Sequence, residues 1–116
     1  MSSPSCIFCR IVAGEIPARL VYQDDRAVAF HDVSPQSPVH VLIVPRQHLL
    51  HLLDADAADP TLAGHLVHVA AGLARELGVA DSGFRLIFNT LDDGGQSVLH
   101  LHLHLLGGRE LGWPPG

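Results

Sequence analysis

No apolar run in this sequence approaches the roughly 18 to 20 residues that a membrane-spanning helix needs, so no segment reads as membrane-embedded. The start, Met1-Ser2-Ser3-Pro4-Ser5-Cys6, lacks both the basic n-region and the apolar h-region of an export signal, and a cytoplasmic location is the expectation. Charge is sparse: seven Lys plus Arg stand against twelve Asp plus Glu, a formal charge of −5, and the basic residues form no cluster. Binding a nucleic acid polymer rests on neutralising many phosphates, which disfavours that partner. A single nucleotide is not excluded, because backbone N–H groups and imidazoles can hold one phosphate. Internal repeats, linkers, low-complexity stretches and a repeating βαβ unit are all missing. At 116 residues the chain is long enough for one core and too short for two, so residues 1–116 are expected to form a single domain.

What the chain has in excess is histidine: nine residues, more than Lys and Arg together. Residues 19 to 31 read as a hairpin, Arg19 to Gln23 and Ala27 to His31 around a turn at Asp24-Asp25. Asp32 to Pro38 carries two prolines among small polar residues and reads as a loop, and Val39 to Val44 is a third strand ending at Pro45. Leu62, Leu66, Val69, Leu73 and Leu77 recur at helical spacing, so Pro60 to Leu77 is predicted as the one long helix, with Gly78 at its end. Phe84 to Phe88 is a fourth strand, Asn89 to Gln96 a glycine-bearing turn, and Val98 to Leu106 a fifth strand with strict alternation. Strands in hairpin order with one long helix predict an α+β fold with a five-stranded antiparallel sheet and only short helical turns besides.

The alternation matters most at His100-Leu101-His102-Leu103-His104. On a strand the three imidazoles share one face, and Leu99, Leu101, Leu103 and Leu105 share the other, which points the leucines to a core and the histidines to a site. Adjacent imidazolium charges at that spacing repel by about 2 kcal/mol at an effective dielectric near 20, so at least one ring is expected to stay neutral and nucleophilic at pH 7. A half-exposed strand explains one such histidine but not three, since a solvated face is normally built from Lys, Glu and Thr. A three-histidine metal site is disfavoured, because positions i, i+2 and i+4 of a straight strand do not converge on one ion. Gly94-Gly95-Gln96-Ser97 precedes the run; its glycines allow close backbone approach to an anion, although a hairpin turn accounts for them equally well.

The run His100 to Leu106 matches the pattern His, apolar, His, apolar, His, apolar, apolar, and with it the sequence resembles the histidine-triad family. The segments Cys6 to Ile11, Ala29 to Gln36, His40 to Pro45, Gly94 to Val98 and Trp113-Pro114-Pro115-Gly116 resemble its Hint branch, so the likeness covers nearly the whole chain. It implies a homodimer with a continuous ten-stranded sheet that hydrolyses purine nucleoside phosphoramidates through a nucleotidyl-histidine intermediate. Carried over, His102 is the nucleophile, His104 and His40 are its phosphate-side partners, and Ser97 with the Gly95 backbone contacts phosphate or leaving group. Asp32 would hold the ribose, Phe8, Ile11, Phe30 and Val33 would line a base pocket, Asn89 would add a polar contact, and Trp113 would reach the neighbouring subunit's site. The leaving amine needs a proton, which a neighbouring imidazolium can supply, an effect typically worth about 10²- to 10⁴-fold.

Cys6 and Cys9 are the only cysteines, spaced Cys-x-x-Cys. A thioredoxin-like redox pair needs a βαβ context that is lacking here; half of a tetrahedral zinc site and a pair of reduced surface thiols remain. In the related bacterial proteins such a site is completed by two histidines, by position His48 and His100, which would make His100 structural; the mechanism itself requires no cofactor. His65 and His68 are expected to face solvent, and His31 and His51 have no assigned role. Two other functions stay open: a dinucleoside polyphosphate hydrolase, which the Trp113 tail disfavours, and a nucleotide-binding or scaffold module with little turnover.

Overall fold

A computed structural model describes residues 3–116. Its elements run α1 (Ile7–Val12), β1 (Leu20–Gln23), β2 (Ala27–His31), β3 (Val39–Pro45), α2 (Leu52–Ala58), α3 (Leu62–Glu76), β4 (Phe84–Phe88) and β5 (Leu103–Gly107). The five strands form one sheet in the order β1-β2-β3-β5-β4, each neighbouring pair antiparallel. The α+β expectation therefore holds, with α1 and α2 as the short helices beside the long one.

Alternation along β2 and β3 divides the interior into two layers. Ala27, Ala29, Val41 and Ile43 join Leu103 and Leu105 under α3, whose Leu62, Leu66, Val69, Ala70 and Leu73 form the stripe read from the sequence. Val28, Phe30, Leu42 and Val44 point to the opposite face, where Phe8 of α1 covers them. A strand covered on both sides needs a near-continuous apolar run, which is why β3 reads Val-His-Val-Leu-Ile-Val. His40 is the exception in that run, and it is buried on the α1 face.

The helix α3 begins two residues later than predicted, because Asp59 turns back to accept the Thr61 N–H and hydroxyl, leaving Pro60 in the preceding turn. Gly78, at φ +79°, ends it in the left-handed region that glycine enters freely. His65 does not face solvent freely. Its Nε2 lies 2.8 Å from Asp24 Oδ2, and that carboxylate also accepts Tyr22 Oη–H and the N–H groups of Arg26 and Ala27, each at 2.7 Å. The β1–β2 turn is thereby fastened to α3.

The larger correction concerns the fifth strand. It starts at Leu103, not Val98, so His100 and His102 precede the sheet and only His104 lies on it. Residues 97–102 are drawn aside: Leu101 N–H donates to Leu49 O at 2.7 Å, and the Gln96 amide accepts from Leu91 N–H while donating to Leu50 O and Val98 O. Their backbone partner is instead the chain before α2. Leu99 is 56% exposed and His100 fully buried, the reverse of what a plain strand predicts at those two positions.

Candidate active site

On the α1 face the sheet opens into a cavity of about 830 Å³, a size that suits one nucleotide-sized ligand. Phe8, Ile11, Phe30 and Val33, named from the sequence as base-pocket residues, line it, as do Asp32, Ser97, His102 and His104. Phe8 and Phe30 meet edge to face with centroids 5.6 Å apart, giving the cavity an aromatic floor, whereas Val33 stands exposed at its rim. Asn89 and Gly95 are not among the lining residues. Asn89 directly follows Phe88, whose partner Leu103 begins β5. Gly95, at φ +75°, closes the turn before Ser97 in a conformation that favours glycine. Trp113 is 83% exposed on a tail held by Arg85, which donates to Gly112 O at 2.7 Å, and it does not line this cavity.

Hydrogen-bond partners fix the proton positions on the histidines. His102 Nδ1 lies 2.7 Å from His100 O; a carbonyl only accepts, so Nδ1 carries the proton and Nε2 keeps a lone pair. Gln36 N–H donates to His40 Nδ1 at 3.0 Å, so the proton of neutral His40 sits on Nε2, which donates to His104 Nδ1 at 2.9 Å. His104 therefore presents Nε2–H. Two rings with centroids 5.0 Å apart thus offer opposite faculties, a lone pair on His102 and a donor on His104. Asp32 Oδ1 accepts from Ser34 N–H at 2.8 Å, and Oδ2, 3.4 Å from His40 Nε2, remains to accept from a further donor.

All these rings are held neutral. Burial, ahead of repulsion from His102 and His40, brings His104 down to about 4. Burial also lowers His102 and His40 against the opposing pull of Asp32. The neutrality anticipated from charge repulsion is present, with desolvation as its main cause. The expected imidazolium donor is correspondingly disfavoured in the free protein.

His100 faces elsewhere. Its Nε2–H donates to Pro45 O at 2.9 Å, leaving a lone pair on Nδ1, which lies 3.4 Å from Cys6 Sγ, 3.5 Å from Cys9 Sγ and 3.2 Å from His48 Nδ1. Cys9 Sγ is 3.1 Å from His48 Nδ1. A tetrahedral ion with bonds near 2.0–2.1 Å to nitrogen and 2.3 Å to sulfur separates its ligands by about 3.3 to 3.8 Å, close to this spacing. The second-nitrogen bond to a carbonyl is the usual way a metal-binding imidazole is oriented. The four sequence-named residues thus converge on a donor set that fits a metal. Asp32, His40 and His104 also bring their ligand atoms within 4.8 Å of one another. Gln36 N–H, however, keeps His40 in the tautomer whose Nε2 has no lone pair for an ion.

Sequence reasoning missed Gln36 and Gln96. Gln36 acts through its backbone N–H, which residue type does not signal, and Gln96 was seen only as part of a turn. His31 and Leu42 also line the cavity; Leu42 was legible from its two-residue spacing from His40. His51 caps α2 by accepting from Asp54 N–H.

His102 and His104, one just before β5 and one on it, stand together beside an apolar nucleotide-sized cavity, and the chain belongs to the HIT domain family, which matches residues 13–111. It is 48% identical over 106 residues to the purine nucleoside phosphoramidase of Escherichia coli, covering 91% of this chain and 89% of that protein. Among solved structures it is similar to a HIT family hydrolase from Legionella pneumophila, with a TM-score of 0.92 at 46% identity over 97% of this chain and all of the other. A zinc-bound histidine triad family protein from Mycobacterium smegmatis aligns with a TM-score of 0.80 at 32% identity, covering 90% of this chain and 76% of that one.

Proposed function

We propose that the chain, acting as a single HIT domain, hydrolyses purine nucleoside phosphoramidates through a nucleotide covalently held on His102. The observation that carries this reading is the bond from His102 Nδ1–H to His100 O, which leaves Nε2 as the nucleophilic lone pair of a ring lining the cavity. The base lies between Phe8, Ile11, Phe30 and Val33, and the free oxygen of Asp32 accepts from the ribose hydroxyls. His102 Nε2 attacks phosphorus, exchanging one P–N bond for another, so the step is near balance; the departing nitrogen takes a proton from solvent water beside Ser97 and leaves as the neutral amine, and a second water then cleaves the phosphoimidazole and returns the lone pair to Nε2. His104, held by His40, donates Nε2–H to a phosphoryl oxygen as negative charge gathers there. Ser97, with the Gly95 backbone beside it, serves the phosphate or the departing nitrogen. The 48% identity to a phosphoramidase supports this choice of substrate.

The test is single-turnover mixing with adenosine 5′-phosphoramidate, quenching and peptide mapping. A nucleotide on His102 is expected; burst kinetics with label elsewhere would end the proposal, as would full turnover by His102→Ala. A diadenosine polyphosphate in the same assay measures the alternative anhydride hydrolysis, and failure of both substrates to turn over would leave the binding-module reading.

Two further features belong to this reading. Cys6, Cys9, His48 and His100 would hold one zinc ion whose contribution is structural, joining α1 to the chain ahead of β5. Metal analysis of the purified protein beside its Cys6→Ser and Cys9→Ser variants tests this, one zinc per chain being expected for the unaltered protein only. The second is a homodimer. β4 is an edge strand whose residues from Arg85 to Phe88 are all half-buried, with Phe84 exposed. Pairing β4 with its copy would complete the ten-stranded sheet and bring the exposed Trp113 toward the partner's cavity.

A further inference from the structure

We propose that the Cys6–Cys9–His48–His100 cluster sets nucleotide affinity: a metal held there clamps α1, and α1 is a wall of the base pocket. The inference rests on the zinc reading above and adds a function to it. Alternation within α1 makes the connection. Cys6 and Cys9 present sulfur to His48 and His100, while Ile7, Phe8 and Ile11 line the cavity. Phe8 sits between the two cysteines, and its ring meets His102 edge-on at 5.1 Å and His100 at 5.9 Å.

Apart from the packing of Phe8 on the core layer of Val28, Phe30, Leu42 and Val44, little else ties this wall to the protein. A six-residue helix is far too short to persist by itself in water. The backbone bonds of the segment stay inside it: Cys6 N–H to Ser3 O, Arg10 N–H to Cys6 O, Ala13 N–H to Cys9 O, Gly14 N–H to Ile11 O and Glu15 N–H to Arg10 O. The Arg10–Glu15 ion pair is local as well. Among the described residues, the polar ties from residues 3–15 to the remainder of the fold are the cysteine–histidine contacts. Without metal they are thiol–imidazole contacts of 3.1 to 3.5 Å, weak because a thiol is a poor hydrogen-bonding group. With metal they become two fixed attachments, three residues apart, to positions 48 and 100.

A ligand that must order its own pocket wall loses affinity in proportion to the fraction of molecules already ordered. Metal therefore tightens nucleotide binding, and by reciprocity nucleotide tightens metal binding by the same factor. The effect belongs to the base, since Ile7, Phe8 and Ile11 contribute apolar surface only. Cys6 and Cys9 are in this sense positioning residues for substrate.

Calorimetric titration with AMP and with ribose 5-phosphate, on zinc-loaded and chelator-stripped protein, tests the proposal at a temperature where circular dichroism shows both forms folded. AMP is expected to bind about tenfold or more weakly to the stripped form, within the usual range of such couplings, while ribose 5-phosphate changes little. Cys6→Ser is expected to behave as stripped protein, and re-addition of zinc to restore affinity in the unaltered chain alone. AMP should raise the chelator concentration needed to remove zinc by the same factor. Equal AMP affinity in both forms would overturn the proposal, and so would equal weakening of the two ligands, which marks general loosening. Purified protein that takes up no zinc overturns it together with the zinc reading, and a loaded protein that binds no AMP overturns it together with the nucleotide reading; metal analysis tells these two failures apart.

Discussion

Replacing His104 by alanine separates two ways in which this histidine can assist the reaction. With the ring held down to about 4, roughly one molecule in a thousand carries imidazolium at pH 7. A phosphoryl charge about 4 Å away favours that form by about 4 kcal/mol at an effective dielectric of 20, enough by itself to return the ring to the neutral range. The network resists, because imidazolium needs an acceptor at Nδ1 and His40 meets that atom with a donor, its own Nδ1 being occupied by Gln36 N–H. His104 therefore works as a neutral donor to a phosphoryl oxygen, and the loss of one such preorganised donor costs about 10²- to 10³-fold in kcat.

The assay compares kcat of His104→Ala and the unaltered protein on adenosine 5′-phosphoramidate and on the p-nitrophenyl ester of AMP. A donor aimed at the phosphoryl oxygen acts on both, so the two losses should agree within a few fold. A loss confined to the amine substrate would show that His104 protonates the leaving group and would refute the tautomer argument. The pH profile gives a second reading. Attack needs neutral His102, whose affinity for protons burial lowers, so kcat should stay level as pH falls through 6.5, the ordinary histidine value, and decline only below it.

Asp24→Ala removes the acceptor of four contacts from Tyr22, Arg26, Ala27 and His65 and should cost about 3 kcal/mol in urea unfolding at pH 7. Because those bonds hold the folded Asp24 carboxyl well below its usual range, its contribution is present above the unfolded value near 4 and is lost as pH falls further; the variant should show a flatter stability curve between pH 5 and 2. Leu66→Ala, at a fully buried position under the sheet, should lower stability by about 2–5 kcal/mol with kcat unchanged at temperatures where it stays folded. If Trp113 completes the partner's site, mixing His102→Ala and Trp113→Ala chains after unfolding should restore about a quarter of the wild-type sites; activity no higher than that of either variant alone would exclude the exchange.

Legibility in the sequence followed whether a feature depends on local pattern or on what a pattern meets. The five strands and the stripe of α3 were readable because periodicity carries them, and the cavity residues Phe8, Ile11, Phe30 and Asp32 were readable only through the family resemblance. The start of β5 was not, since alternation from Val98 to His102 is equally compatible with pairing to β4 or with the bond from Leu101 N–H to Leu49 O that forms instead. Nor could α1 be foreseen as an element: six residues present no complete stripe, and their anchoring comes from His48 and His100, 39 and 91 positions from Cys9.

That displacement of residues 97–102 from the sheet is what lets one alternating run serve two centres. Had the strand continued back to Val98, ladder pairing would have claimed the backbone of His100 and set its side chain beside His102 over the cavity. Outside the ladder, the His100 carbonyl is free to accept from His102 Nδ1–H, and its ring turns to the cysteines while its Nε2–H is held by Pro45 O. One residue thus joins the donor cluster through its side chain and sets the tautomer of the proposed nucleophile through its main chain. Substituting the ring of His100 should therefore empty the metal site while leaving the carbonyl in place. A His100→Gly chain that loses zinc but keeps part of its kcat on adenosine 5′-phosphoramidate would separate the two roles, whereas loss of kcat as deep as in His102→Ala would mean that the ring and the carbonyl act as one.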